Sequence, residues 1–354
     1  MIQNMQTLLE MLIERNASDL HLGSNMRPHI RVDEKIISVG TEIFSDAKVK
    51  ELVYSLLSSE NIKKFEKEKE LDRSFEIAGL SRFRMNVFFQ RGFIGMALRV
   101  IPFKILTFSE CGLPVETLTK IVRKPKGLVL VTGATGSGKS TSLASIVDQI
   151  NEERNCHIVT IEDPIEFVHK NKLSIIDQRE VGQDTDSFSQ ALRHVLRQDP
   201  DVILIGEMRD LETIEAAMTI AETGHLVFAT LHTSDAVQTI NRVIDVFPAH
   251  RQQQVRIQLS FVLVSILSQQ LIPKVGGSGR ALAVEIMNAT PAIKNMIREQ
   301  KTHQIFSLIQ AGIKDGMKTM NQSLYELYSE KIISYDNAMA RTADVNDLMR
   351  LFKR

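Results

Sequence analysis

Residues 127–140 read GLVLVTGATGSGKS, and this stretch decides the fold. Its second half, residues 133–140, matches the phosphate-binding pattern G-x-x-x-x-G-K-[ST]. Its first half is an apolar strand, and residues 140–151 that follow have helical spacing. A chance match to the pattern would lack this strand–loop–helix context. The stretch therefore predicts an α/β domain that binds a nucleotide.

The chemistry of the loop predicts which residues contact that nucleotide. Its glycines let backbone N–H groups converge on phosphates, and the following helix adds its positive amino end. Lys139 is expected to reach the β- and γ-phosphates, and the Ser140 hydroxyl to ligate Mg²⁺. ATP and Mg²⁺ are the expected cofactors. The predicted nucleotide-binding residues of this segment are Gly133, Ala134, Thr135, Gly136, Ser137, Gly138, Lys139, Ser140 and Thr141.

Carboxylates follow two further apolar strands. Residues 202–205 read VILI and precede Gly206 and Glu207, an arrangement that delivers a carboxylate to Mg²⁺ at the carboxyl edge of a sheet. Glu207 could otherwise be an ordinary surface glutamate. Residues 162–166 read EDPIE and follow the apolar residues 157–161. These carboxylates either position an attacking water or lie on a solvated loop, and the pattern leaves both interpretations open.

The chain of 354 residues is too long for one ordinary compact core. Residues 1–101 mix helices with alternating strands, which is typical of a small α+β domain. From residue 115, apolar strands alternate with helices, which predicts a parallel sheet covered on both faces. The predicted layout is an N-terminal domain (1–101), a linker (102–114), an α/β core (115–290) and a C-terminal helical region (291–354).

Composition excludes several classes of protein. Forty-three basic and forty-three acidic residues leave no net charge, which argues against a nucleic-acid binder with a basic patch. No apolar run approaches the eighteen or so residues of a membrane-spanning helix, so the chain is not expected to span a membrane. Cys111 and Cys156 lie far apart, which disfavours a zinc site or a disulfide framework. The cytoplasm is the expected compartment.

Four motifs, in order, carry a family resemblance. They read GATGSGKS at 133–140, TIEDPIEF at 160–167, GEMRD at 206–210 and AETGHLVFATLHT at 221–233. They resemble the Walker A, Asp box, atypical Walker B and His box of the secretion-type hexameric ATPases. Residues 17–22 (ASDLHL) and 292–299 (AIKNMIRE) extend the resemblance over essentially the whole chain and make it similar to the PilT family of pilus retraction ATPases.

This resemblance implies a PAS-like α+β N-terminal domain, a RecA-like P-loop ATPase core and a C-terminal helical extension. It implies a homo-hexamer at the cytoplasmic face of the inner membrane, hydrolysing ATP to retract type IV pili in twitching motility. The expected partner is the inner-membrane platform protein of the pilus machine. Residues 292–299 would transmit motion, although Ile293, Met296 and Ile297 fit core packing equally well.

The resemblance also assigns roles to single residues. Glu166 resembles the glutamate that polarises the attacking water, and Glu207 the Walker B acid at Mg²⁺; the division of labour between them stays open. His225 and His232 resemble the His-box residues that sense nucleotide or bridge subunits. A histidine at a strand end is otherwise more often a satisfied surface or core residue.

Arginines of the N-terminal domain are the remaining candidates. Residues 82–87 read RFRMNV, and strand alternation puts Arg82 and Arg84 on one face. Charges on such a face are usually only solvated. The resemblance implies arginine fingers from this segment, so Arg82 and Arg84 are the predicted fingers, with Arg99 as a weaker third.

Other functions share some of these features. A PilU-type accessory retraction ATPase would carry the same motifs. A pilus-extension or type II secretion assembly ATPase usually adds an N-terminal domain and a four-cysteine zinc module. A DNA-pumping motor is disfavoured by the neutral charge. A nucleotide-binding scaffold without turnover is disfavoured by the presence of Lys139, Glu166 and Glu207.

Overall fold

The computed structural model describes residues 4–32, 35–77, 79–101, 104–277 and 279–353. The chain forms two compact units, Met1–Lys104 and Ile105–Arg354. Each unit has its own hydrophobic core. The boundary falls within the predicted linker 102–114, of which Pro102 and Phe103 lie outside the described residues.

The first unit is an α+β fold built on an antiparallel sheet. The strand order in its described part is β3-β2-β1-β6-β5-β4, and all pairings are antiparallel. Its strands are β1 (Asp19–Gly23), β2 (His29–Val32), β3 (Lys35–Ser38), β4 (Glu70–Ile77), β5 (Ser81–Gln90) and β6 (Phe93–Ile101). Its helices are α1 (Met5–Glu14), α2 (Asp46–Tyr54) and α3 (Ser59–Glu68).

Local sequence explains these elements. Side-chain oxygens of Asn4, Ser45 and Ser58 accept hydrogen bonds from backbone N–H groups in the first turns of α1, α2 and α3, so each helix begins at a capping residue. Alternation along β5 buries Phe83 and Met85 in the core of the unit, as strand periodicity predicts.

The second unit is an α/β fold with a mostly parallel sheet. The strand order in its described part is β13-β12-β7-β11-β10-β8-β9; only β13 runs antiparallel to its neighbour. Its strands are β7 (Gly127–Thr132), β8 (His157–Glu162), β9 (Ile175–Glu180), β10 (Val202–Ile205), β11 (Leu226–Leu231), β12 (Leu263–Pro273) and β13 (Arg280–Asn288).

Helices cover this sheet and continue beyond it to the C-terminal end, as predicted for the residues after Pro291. Three short 3-10 turns, Leu196–Gln198, Thr302–Gln304 and Ile313–Asp315, lie among them. The helices are α4 (Phe108–Cys111), α5 (Val115–Val122), α6 (Lys139–Glu153), α7 (Phe188–Val195), α8 (Leu211–Glu222), α9 (Ala236–Asp245), α10 (Ala249–Val262), α11 (Pro291–Arg298), α12 (Ile305–Ala311), α13 (Met320–Ser329), α14 (Tyr335–Met339) and α15 (Val345–Phe352).

Burial on both faces of the sheet explains its unbroken apolar strands. Along β7, Leu128 and Leu130 pack into one core cluster, whereas Val129 and Val131 pack into another on the opposite face. Both faces are therefore closed to water, as parallel sheets require. In α11, Ile293 and Ile297 are fully buried in the first of these clusters, so core packing accounts for these two apolar residues of the 292–299 motif.

No helix in the described part of the chain combines the length and the apolar character needed to cross a lipid bilayer.

Candidate active site

Four parallel strands bring their carboxyl ends to one edge of the second unit's sheet. Residues 133–140, the phosphate-type loop, follow β7. Glu207 comes two residues after β10, and His232 directly follows β11. The loop with Glu166 follows β8. Since β7, β11, β10 and β8 are consecutive neighbours in the sheet, these segments lie side by side.

The loop after β7 has the backbone that phosphate binding needs. Gly138 adopts φ 91°, a left-handed conformation, and begins α6 at Lys139. Gly133 adopts φ 140°, and a Cβ added there would lie 2.5 Å from the Gln269 carbonyl oxygen, so only glycine fits. The Ser137 hydroxyl is buried and has no hydrogen-bond partner among the described residues. An unsatisfied buried donor and an uncapped helix amino end fit an oxyanion ligand.

Lys139 lies within this loop and close to the predicted carboxylates. Its Nζ donates to the carbonyl oxygens of Gly133, at 2.7 Å, and Ala134, at 3.0 Å. Burial lowers the pKa of Lys139, and the carboxylates of Glu207 and Glu166 oppose that shift. The structure therefore brings together Lys139, Glu166 and Glu207 from three separate strand ends.

Glu207 is held between two basic side chains. Its Oε2 accepts from Arg209 at 2.8 Å, and its Oε1 lies 3.0 Å from Nε2 of His232. The hydrogen bond from Arg209 holds the pKa of Glu207 below its usual value, against the effect of burial. Glu207 is therefore ionised at neutral pH, the state that a Mg²⁺ ligand requires. Ser140, the other predicted Mg²⁺ ligand, lies in the first turn of α6.

Metal-ligating residues are sparse at this edge. The described residues contain no group of three or more histidine, cysteine, aspartate or glutamate side chains placed to hold a metal ion. Mg²⁺ typically takes one or two protein ligands and completes its shell with phosphate oxygens and water. Ser140 and Glu207 fit that role, since the nucleotide would supply the remaining charge.

A second carboxyl, Glu162, lies beside Glu166. Burial raises the pKa of Glu162 to about 7, and the charge of Glu166 adds to that shift. Hydrogen bonds from Thr160 Oγ1, at 2.7 Å, and Gln178 Nε2, at 3.1 Å, oppose it. Glu166 itself is exposed. The sequence indicated Glu162 only as one of the carboxylates of residues 162–166 and assigned it no role of its own.

The two predicted histidines, His225 and His232, lie at opposite ends of the central strand β11. His232 follows Leu231, which pairs with Thr132 at the start of the phosphate-type loop. His225 precedes Leu226, which pairs with Gly127 at the other end of β7. The His225 Nδ1 lies 3.1 Å from both the Ile220 carbonyl oxygen and the Thr223 hydroxyl, close neighbours in sequence. Within one chain, His225 is therefore not part of the site.

The candidate arginines of the first unit differ in their surroundings. Arg84 is exposed, and its side chain makes no ion pair or hydrogen bond among the described residues. Arg82 lies two residues earlier on the same face of β5 and is partly buried. Arg99 pairs with Arg84 across β5 and β6, but its Nε donates to Asp19 at 2.9 Å. Arg99 is thus committed to an ion pair, whereas Arg84 is not.

Comparison with known proteins identifies similar chains. The family described as "Type II/IV secretion system protein" matches residues 1–340. The "Type IV pilus retractation ATPase PilT" of Pseudomonas aeruginosa is 50% identical over 331 residues, covering 94% of this chain and 96% of that protein. The "Type IV pilus ATPase PilU" of the same organism is 40% identical over 348 residues, covering 98% and 91%.

A solved structure is similar over nearly the full length. It is described as "Crystal Structure of the Pilus Retraction Motor PilT and Bound ADP", with 48% sequence identity and a TM-score of 0.93. The alignment covers 98% of this chain and 99% of that one. Both units of the fold are therefore shared with that motor protein.

Proposed function

Because this chain belongs to the type II/IV secretion system protein family, we propose that it is the ATPase motor that retracts type IV pili and so drives twitching motility. The observation that carries the proposal is the convergence of Lys139, Glu166 and Glu207 at one sheet edge, beside a phosphate-type loop. A scaffold without turnover would need the loop but not the two carboxylates.

In this proposal the chain's own residues bind and orient ATP. Backbone N–H groups of residues 133–141 surround the phosphates, and Lys139 exchanges its bonds to Gly133 and Ala134 for phosphate oxygens. Ser140 and Glu207 would hold Mg²⁺, which when bound neutralises charge on the β- and γ-phosphates. His232, at 3.0 Å from Glu207, orients that carboxylate.

Hydrolysis requires a carboxylate that polarises water. We assign this role to Glu166, because its side chain is exposed and its charge acts on Lys139. Glu162 is less suited, since Thr160 and Gln178 already occupy its Oε1. In this assignment Glu166 accepts the proton of the attacking water, and Glu207 remains at Mg²⁺.

The rest of the proposal concerns assembly. The family resemblance supports a homo-hexamer at the cytoplasmic face of the inner membrane, working on the platform protein of the pilus machine. It also supports arginine fingers from β5. Arg84 is the first candidate, with Arg82 beside it, because Arg84 has no acidic partner among the described residues. His225, on the other sheet edge, is left for contacts between subunits.

The test is Glu207→Gln, both in the purified protein and in the native organism. We expect the variant to bind nucleotide but to release phosphate at least about a hundredfold more slowly, because the ligand charge at Mg²⁺ is lost. Cells carrying it should display abundant pili that do not shorten. Glu212→Gln, an exposed carboxylate in the first turn of α8, is the matched control and should retract normally.

Other outcomes identify other motors. Cells without surface pili would show that the ATPase drives assembly and would contradict the retraction proposal. Pili that still shorten, but stall under load, would favour the accessory role that the PilU relative suggests. Undetectable phosphate release by the wild-type hexamer would favour a scaffold.

A further inference from the structure

One amide side chain on the edge strand β9 holds the loop that follows β8 at three points. Gln178 Nε2 donates to Glu162 Oε1 at 3.1 Å and to the Phe167 carbonyl oxygen at 2.8 Å. Gln178 Oε1 accepts from the His169 backbone N–H at 2.8 Å. These three contacts lie on both sides of Glu166, one before it and two after it in sequence.

Side chains outside the loop hold its shape: those of β9 act near Glu166, and that of Asn151 acts near Lys170 and Lys172. Residues 163–174 form no helix or strand, so side chains must satisfy its backbone groups. Gln178 satisfies two of them, and both its donors and its acceptor are used. Glu180, two residues further along β9 and only 4% exposed, accepts from the Ile165 N–H at 3.1 Å. Side chains of β9 therefore hold residues on both sides of Glu166, and the Glu162 carboxylate at the end of β8 accepts from the Glu166 backbone N–H.

Both ends of the clamped segment are fixed in the protein. Glu162 closes β8, and its carbonyl oxygen accepts from the Val181 N–H at 2.8 Å. At the other end, His169 is partly buried, and burial lowers its pKa to about 4, so its imidazole is neutral at physiological pH. Glu166 thus lies on a short span whose two anchors are joined by Gln178.

We propose that Gln178 is a positioning residue for ATP hydrolysis: through Glu162, Phe167 and His169 it fixes the carboxylate of Glu166 beside Lys139. The inference rests on the proposed ATPase function. It concerns the hydrolytic step and not nucleotide binding, because the side-chain hydrogen bonds of Gln178 to described residues all go to Glu162, Phe167 and His169. Displacement of a reacting group by about 1 Å can slow an enzyme about a hundredfold, so a clamp of this kind controls kcat.

The first experiment compares Gln178→Leu with the wild type. Leucine fills similar space but makes none of the three hydrogen bonds, so kcat for ATP should fall about 10- to 100-fold. The affinity for a fluorescent ADP and the KM for ATP should stay within about twofold. The neighbouring Asp177→Asn is the matched control: Asp177 contacts His157 instead of the loop, and this variant should keep the wild-type kcat.

A second variant, Gln178→Glu, separates positioning from folding. Its carboxylate can still accept from the His169 N–H but cannot donate to Glu162 or Phe167, and it adds a negative charge beside Glu162. Its kcat relative to the wild type should be low at pH 8. That ratio should rise as the pH falls, when the introduced carboxyl gains a proton and can donate again. A purely structural role would leave the ratio independent of pH.

The readouts distinguish this inference from its premise. If the wild type hydrolyses ATP and Gln178→Leu does so at the same kcat, the positioning role is wrong and the proposed function stands. If kcat, ADP affinity and melting temperature all fall together in both variants, Gln178 only supports the fold, and the positioning role is again wrong. A folded wild-type protein that releases no phosphate would overturn the proposed function and the inference with it.

Discussion

Arg84 and Arg99 face each other across β5 and β6, and a single acidic side chain distinguishes them. Asp19, on the neighbouring strand β1, accepts from Arg99 and lies 3.4 Å from Arg31. The bond from Ser18 and the two guanidinium groups hold the pKa of Asp19 below its usual value, against burial. Arg99 is therefore held in an ion pair, which leaves Arg84 as the first candidate for the proposed arginine finger.

Replacing Arg84 by alanine should leave folding intact and remove hydrolysis. No partner is lost within the described residues, so the melting temperature should stay within about 1 °C. An arginine finger contributes about a thousandfold or more to phosphoryl transfer, so phosphate release should fall by that factor while ADP binding persists. Normal turnover by this variant would exclude Arg84 from catalysis.

The matched variant is Arg99→Ala. It removes one of the two cations around Asp19, and because the Arg99 side chain is largely exposed, the loss of stability should be only about 1 kcal/mol. Hydrolysis per folded molecule should be unchanged. A large loss of activity at full stability would instead favour Arg99, the weaker candidate from sequence.

At the scale of secondary-structure elements, Glu285 on β13 connects two helices. Its Oε1 accepts from the backbone N–H of Ala236, the first residue of α9, at 2.8 Å, and it also bonds the backbone N–H of Met320, the first residue of α13. Glu285 is only 4% exposed, and burial raises its pKa to about 7 despite these donors. One carboxyl thus caps a helix of the ATPase core and a helix of the C-terminal region.

This raised pKa predicts a pH-dependent stability. The unfolded carboxyl titrates near 4.5, so between about pH 4.5 and 7 the native state binds more protons than the unfolded state. As the pH rises from about 4.5 to 7, the contribution of Glu285 to the free energy of unfolding therefore falls by roughly 3 kcal/mol. Above that range the contribution is constant. Glu285→Gln cannot titrate and should lack this decline.

The measurement is urea unfolding of the wild type and Glu285→Gln at pH 5 and pH 8. Other groups also titrate in this range, notably Glu162, but they contribute equally to both proteins and cancel in the difference. Glu326→Gln, on the exposed face of α13, should reproduce the wild-type slope. Identical pH dependence in wild type and Glu285→Gln would show that Glu285 does not titrate as its burial requires.

The sequence predicted the central strands of the parallel sheet. The strands β7, β8, β10 and β11 were recognisable because central parallel strands are apolar on both faces. β9 was missed because residues 177–180 read DQRE: an edge strand has one partner and tolerates polar side chains. Gln178, the support of Glu166, was missed with it.

β12 was missed for a different reason. The sequence showed an apolar window between 259 and 272 interrupted by serines and glutamines. In the structure two of these polar side chains are buried and bonded to distant parts of the chain: Ser268 accepts from Thr132 on β7 at 2.9 Å, and Gln269 donates to the Ser142 hydroxyl on α6 at 2.8 Å. A partner 127 or more residues away cannot be identified from local periodicity.

Among the candidate site residues, the sequence identified those that lie in local motifs. Lys139 and Glu207 were predictable because loop and strand-end motifs fix their positions within a few residues. The roles of His225 and His232 stay predictions; the six-residue strand between them places the two side chains at its opposite ends within one chain.

At the scale of the whole molecule, the chain consists of two units that each bury their own core. The phosphate-type loop and all the carboxylates assigned to hydrolysis lie in residues 105–354, whereas Arg82 and Arg84 lie in residues 1–104. The proposed arginine fingers and the predicted nucleotide-binding residues therefore belong to different units.

Separate expression of residues 105–354 tests this division. The fragment keeps its own core clusters, so it should fold cooperatively and bind fluorescent ADP with an affinity within about threefold of the full chain. It should not release phosphate at a measurable rate, since the arginines are absent. Circular dichroism, ADP titration and a phosphate assay suffice; turnover at the full-chain rate would exclude the first unit from the chemistry.

The position of β9 at the margin of its sheet has a further consequence. In the part of the chain that the structure describes, β9 pairs with β8 alone, and its first residue, Ile175, is 60% exposed. Edge strands open locally at a lower free energy than the strands they flank. Local opening of β9 would free the residues around Glu166 while the nucleotide remained bound. A subunit under mechanical load would therefore stop hydrolysing ATP before it released the nucleotide.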